Sequence, residues 1–214
     1  MMRFLTLIVL LLAFSSTVGA QPSTSGNEPR TILAFGDSLT AGYGLDEGLG
    51  FAPQLEDALR REGRAVTVVD AGVSGETSAQ GLNRIDWTLD NLDSAPDLVI
   101  LELGGNDMLR AVDPGEVERN LSALIEGFQE RDIRVLLAAI PAAQNYDRSY
   151  IDRFDGVFTT LGERYGVTVH PFLPQVLASE PGMLLPDGVH PTYKGIKEIV
   201  TAILPVAEAE LDAL

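Results

Sequence analysis

The chain offers one set of side chains suited to chemistry at an acyl carbon. It contains no cysteine and only two histidines, His170 and His190, so the imidazole that a hydroxyl nucleophile requires has two sources. His190 stands in Leu185-Pro186-Asp187-Gly188-Val189-His190-Pro191, three residues after Asp187. At that spacing one short turn can present a carboxylate that orients the ring and stabilises its cation. His170 closes the apolar run Val167-Thr168-Val169-His170-Pro171 and reads as a structural residue at a strand end. Far upstream, an apolar run at 32–35 stops at Gly36-Asp37-Ser38. Gly, Asp and Ser are common turn residues, so by itself Ser38 also suits a plain loop or a helix cap.

Acyl transfer also needs hydrogen-bond donors for a developing oxyanion. Backbone N–H groups at glycine turns and an Asn amide supply these. Gly75, in Val73-Ser74-Gly75-Glu76-Thr77, and Asn106, in Gly104-Gly105-Asn106-Asp107, are the candidates. Ser74 is a rival nucleophile, since Gly72-Val73-Ser74-Gly75 partly echoes the G-x-S-x-G elbow of α/β-hydrolases, which is otherwise absent. Met108, Leu109 and Tyr146 are candidates for lining an acyl groove. Each also suits ordinary packing.

The elements that must position these residues alternate. Apolar β-type runs at 31–35, 66–70, 98–103, 135–140 and 167–171 are nearly continuous, as expected of strands covered on both faces. Helical patterns at 51–62, 77–91, 114–131 and 150–165 lie between them. A last helix covers 192–210, with Pro205 expected to kink or split it. Asp113-Pro114-Gly115-Glu116 reads as a helix start, and Gly63 as a left-handed stop. The resulting class is α/β, a three-layer α/β/α domain of about five parallel strands with no internal repeat. In a parallel sheet the polar loops after the first three strands emerge at one edge, where such folds place ligands.

Composition narrows the partners. A basic start at Arg3, an apolar stretch at 4–14 and small residues ending at Ala20 read as a secretory signal peptide, 1–20. A polar lead-in, 21–30, follows, expected to be flexible, and 31–214 is the catalytic domain. The formal charge is −16; loss of Arg3 leaves 14 basic against 31 acidic residues. Such an excess opposes nucleic acid and anionic membrane surfaces. Glu47 occupies the third glycine position of a near dinucleotide fingerprint at 42–47, and no Walker-type loop is present. With two histidines and no cysteine, neither a metal nor a cofactor is expected.

Four blocks, Gly36-Asp37-Ser38-Leu39, Gly75 with its neighbours, Gly104-Gly105-Asn106-Asp107 and Asp187-Gly188-Val189-His190-Pro191, resemble in content and order those of the SGNH, or GDSL-type, hydrolases. Residues 35–44, 75–82 and 101–110 resemble the bacterial exported arylesterase, acyl-CoA thioesterase I and lysophospholipase group. The resemblance implies a flavodoxin-like fold, Ser38 as nucleophile, His190 as base and Asp187 as its orienter. It also implies an oxyanion hole from the Ser38 and Gly75 N–H groups and the Asn106 side chain. Asp147 departs from that group, which usually has glycine after Asn145-Tyr146. The activity implied is hydrolysis of acyl esters and thioesters: aryl esters, acyl-CoA and lysophospholipids. A carbohydrate acetyl-esterase, or a non-catalytic acyl- or glycan-binding member, is the alternative. The expected partner is a small-molecule ester or thioester, met by a periplasmic or secreted monomer with no nucleic acid and no stable membrane insertion once mature.

Overall fold

The computed structural model describes residues 29–214. The signal peptide expected at 1–20 and most of the 21–30 lead-in lie outside the described residues. Five strands, β1 (Arg30–Gly36), β2 (Val66–Gly72), β3 (Leu98–Glu102), β4 (Arg134–Ala139) and β5 (Thr168–Pro171), form one parallel sheet in the order β2-β1-β3-β4-β5. The helices are α1 (Ser38–Ala41), α2 (Phe51–Arg61), α3 (Ser78–Asp90), α4 (Gly105–Leu109), α5 (Pro114–Gln129), α6 (Arg148–Tyr165), α7 (Val176–Ser179) and α8 (Tyr193–Asp212).

From β1 the chain steps one way to β2, then returns past β1 and proceeds to β3, β4 and β5. Right-handed crossovers convert that reversal into two helical layers. Helix α2 packs with α8, and α3, α5 and α6 lie side by side in the other layer. The sheet is therefore covered on both faces, and residues 32–35 of β1 and all of β3 are buried. Phe35 of β1 meets Phe128 of α5 edge to face at 5.6 Å, fixing one layer against an interior strand.

Local chemistry sets the helix ends. Helix α2 buries Phe51, Leu55 and Leu59, then stops where Gly63 takes φ +85°. The N–H groups of Gly63 and Arg64 return to the Arg60 and Leu59 carbonyls, a Schellman closure. Asp113 caps α5 by accepting from Gly115 N at 2.9 Å, with Pro114 at the first helical position. Thr77 and Gln80 form a reciprocal capping box on α3. Pro205 does not split the last helix: α8 is one element through it. Pro205 is exposed, so the backbone carbonyl left without its N–H partner can turn to water.

The reversal of strand order opens a crevice between the C-terminal ends of β1 and β3, the switch point at which open α/β sheets bind ligands. The register makes three chain ends level there: Gly36 pairs with Gly72 on one side and Glu102 on the other.

Candidate active site

Ser38 is the first residue of α1, reached by a sharp turn from β1. Asp37 caps that helix, its Oδ1 accepting from Leu39 N at 3.0 Å. Close packing makes the turn possible. A Cβ on Gly36 would lie 2.1 Å from Thr40 Oγ1 and 2.5 Å from the Glu102 carbonyl oxygen. One on Gly72 would lie 2.3 Å from Ala41 N. Both strands must end in glycine for α1 to sit across them.

The 183–192 loop brings His190 to the same edge. Leu184 and Pro191 form an antiparallel bridge, and Leu185 N donates to His190 O at 2.7 Å. Asp187 stabilises the turn and the ring together. Its Oδ1 accepts from Val189 N at 2.9 Å and His190 N at 3.0 Å, and its Oδ2 lies 2.8 Å from His190 Nδ1. These bonds, led by the Val189 N–H, hold the Asp187 carboxyl down at about 2. His190 Nε2 lies 2.9 Å from Ser38 Oγ. Across 152 residues of chain, the structure thus brings together Ser38, His190 and Asp187. Ser74 is exposed, and among the described residues His190 hydrogen-bonds through its ring to Asp187 and Ser38, not to Ser74.

The residues expected as oxyanion donors line one cavity with Ser38. Gly75 takes φ +83°, a conformation that glycine adopts without strain. Neither its N–H nor that of Ser38 finds an acceptor among the described residues. Asn106 donates one Nδ2 proton to Asp37 Oδ2 at 2.8 Å, leaving its second. The two supporting loops are tied together. Buried Asp107 accepts from Ser78 N at 2.8 Å and Ser78 Oγ at 2.7 Å, and Arg110 donates to Gly75 O at 2.8 Å. Arg84 of α3 pairs with buried Glu76, beside Gly75, and donates to the carbonyls of Gly36 and Ala71.

An open cavity of about 1460 Å³ runs from Ser38 along the strand ends as far as His170. Met108, Leu109, Ile140, Ala142, Phe158 and Leu177 give it an apolar lining. Tyr146 does not line it. Its hydroxyl donates to Met108 O at 2.6 Å, and its ring stacks on Tyr150, so it buttresses α4. His170 contacts neither Ser38 nor Asp187; it pairs in register with Ala138, and burial lowers its basicity. Asp147 is exposed at the head of α6, where it caps Tyr150 N at 2.9 Å.

The sequence pattern of residues 34–197 matches that of the GDSL-like Lipase/Acylhydrolase family. The chain belongs to that family. It is a carboxylic-ester or thioester hydrolase of SGNH fold. Among its relatives is an arylesterase of Vibrio mimicus, 34% identical over 86% of this chain and 88% of its own. Another is thioesterase 1/protease 1/lysophospholipase L1 of Escherichia coli K12, 33% identical over 75% of each chain. The crystal structure of AlinE4, an SGNH-hydrolase family esterase, superposes with a TM-score of 0.73 at 45% identity, covering 86% of this chain and 97% of its own.

Four features of this GDSL-like site carry no role in the sequence reading: Glu102, Asp37, Arg84 and Tyr43. Tyr43 is half exposed and packs its ring on His190 at 4.4 Å. Glu102 is fully buried. Its Oε2 accepts from Thr40 Oγ1 at 2.8 Å and from Asp37 N at 3.3 Å. The signal for Glu102 is one carboxylate at the end of an otherwise apolar strand, Leu98-Val99-Ile100-Leu101-Glu102.

Proposed function

We propose that the chain is an exported serine hydrolase that cleaves acyl esters and thioesters through an acyl-enzyme, with aryl esters, acyl-CoA and lysophospholipids as the substrate range. The observation that carries this reading is the continuous pair of contacts Asp187–His190–Ser38, at 2.8 and 2.9 Å. His190 Nε2 takes the Ser38 proton as Oγ attacks the carbonyl carbon. The ring, held by Asp187, then passes that proton to the departing alcohol or thiol. Water activated by the same nitrogen releases the acyl group. The Ser38 and Gly75 N–H groups and the second Asn106 proton receive the oxyanion. Met108 and Leu109 are the acyl-groove residues, with Tyr146 supporting them from behind. Both named relatives support ester or thioester substrates, and the apolar cavity lining favours an acyl chain over an acetylated sugar.

Ser38→Ala should abolish turnover of p-nitrophenyl esters and palmitoyl-CoA with the fold retained, and Ser74→Ala should leave it intact. Activity surviving in Ser38→Ala would remove the assignment. Export rests on the leader-like 1–20 segment and is tested by N-terminal sequencing of the protein recovered from the periplasm or medium, and sizing of that protein tests whether it is a monomer.

A further inference from the structure

Glu102 is a buried acid that the reaction as derived does not use. It lies level with Gly36 at the head of the crevice, with no exposed surface. Oε2 is occupied by Thr40 and by the Asp37 N–H. Oε1 is the only buried side-chain nitrogen or oxygen among the described residues with no hydrogen-bond partner. The carboxyl of Asp37, a buried residue whose own N–H donates to Glu102, is different. Both its oxygens accept, from Leu39 N and from Asn106 Nδ2.

Burial and a neighbouring carboxyl both disfavour a second negative charge in this dry interior. Asp37 is solvated as an anion by two N–H donors. Glu102 has an oxygen with nothing to accept. We propose that Glu102 is a positioning residue, kept as a neutral carboxylic acid whose Oε1 proton is shared with the Asp37 carboxylate. The anion so fixed holds the Asn106 amide and the N-terminus of α1 in place. The chain of contacts runs Thr40–Glu102–Asp37–Asn106, from behind the Ser38 helix to the oxyanion side of the cavity. Burial and the neighbouring Asp37 charge both push the Glu102 acid well above the ordinary carboxylate range, consistent with that state. The other charged or titratable groups around the pair are Arg84, which donates to Gly36 O and is engaged by Glu76, and His190, which bears on Asp37.

The positioning half of this proposal rests on Asn106 as an oxyanion donor; the proton on Glu102 does not. The experiment keeps the two apart. At pH 7 the infrared difference spectrum, wild type minus Glu102→Gln, should contain a protonated-carboxyl C=O band that moves when the glutamates are ¹³C-labelled. Absence of the band, or a band indifferent to that label, overturns the proposal even if Ser38→Ala is inert as expected. Kinetics supply the second arm. Gln reproduces a neutral donor beside Asp37 and should keep kcat within about threefold. Glu102→Leu should lose about 10- to 100-fold in kcat with KM little changed, the worth of one hydrogen bond to a charged group. Equal losses in the two variants, or full activity in Glu102→Leu, would overturn the positioning role.

Discussion

Asp187 performs two tasks with one carboxylate, and substitution can separate them. Oδ1 holds the Val189 and His190 backbone while Oδ2 holds the ring. In Asp187→Asn the amide oxygen keeps the backbone bonds and the NH2 group faces Nδ1. The ring must then accept there, which places its proton on Nε2, against Ser38. With the geometry intact, kcat should fall by roughly 10⁴-fold, as tautomer loss does in a serine triad. Asn106→Ala removes one donor and should lower kcat by about 10²- to 10³-fold, or 2.7–4 kcal/mol of transition-state stabilisation. A change confined to KM would make Asn106 a binding residue. Because Asp187 titrates at about 2, it is ionised from pH 4 to 8. Its contribution to the loop is complete above the ordinary carboxylate range and is lost only as pH falls through that low value. Asp187 should therefore add no protonation step to the acid limb of kcat/KM, and a ¹³C carboxyl signal from Asp187 should show no protonation of its own over the same range. A limb steeper than one proton would contradict this.

Among the elements, those that carry the site are short, and their legibility in the sequence divides along that line. The interior strands β1, β3 and β4 and the long helices are the most legible, because burial on both faces demands unbroken apolar runs and Leu121, Leu124, Ile125 and Phe128 repeat at helical spacing, whereas the edge strands β2 and β5 carry exposed residues. Helices α1, α4 and α7 have four or five residues and no room for a period. They carry Ser38 and Asn106 all the same. Those two were found through residue type and loop position, not through any helix. The packing of Tyr146 on Tyr150 is not legible in the sequence, because an aromatic ring in a loop gives no sign of which way it packs. Asp147 looked like a lost glycine, yet it serves as the cap of α6. Glycine contacts make the element scale testable. Gly72→Ala drives a methyl group into Ala41 N and must displace α1 with Ser38. It should cost about 1–3 kcal/mol and lower kcat and melting temperature together. Arg84→Ala strands Glu76 in the interior and should cost about 3–5 kcal/mol by denaturant unfolding, more than Arg84→Lys does.

For the whole molecule, buried acidity and surface acidity act in different pH and salt regimes. An acid raised by burial remains protonated in the fold at a pH where the unfolded chain has released its proton. Stability therefore falls as pH rises from the ordinary glutamate value towards the folded one, by up to about 1.4 kcal/mol per pH unit for one group. Glu102→Gln should flatten that fall in chemical denaturation between pH 4.5 and 7, and a parallel slope in both proteins would count against a raised acid at this position. Surface charge is a separate lever. With a net charge of −16, added salt up to about 0.15 M should raise the melting temperature by screening self-repulsion.

The hydrogen bond between Ser38 and His190 spans 152 residues, most of the described polypeptide. During synthesis the serine emerges early and its imidazole almost last. A ribosome-bound nascent chain halted anywhere before position 190 carries the hydroxyl without its proton acceptor. On the proposed roles of Ser38 and His190, the protein should be chemically silent while it is being made and acquire its reactivity in one late step, after the sheet has all its strands.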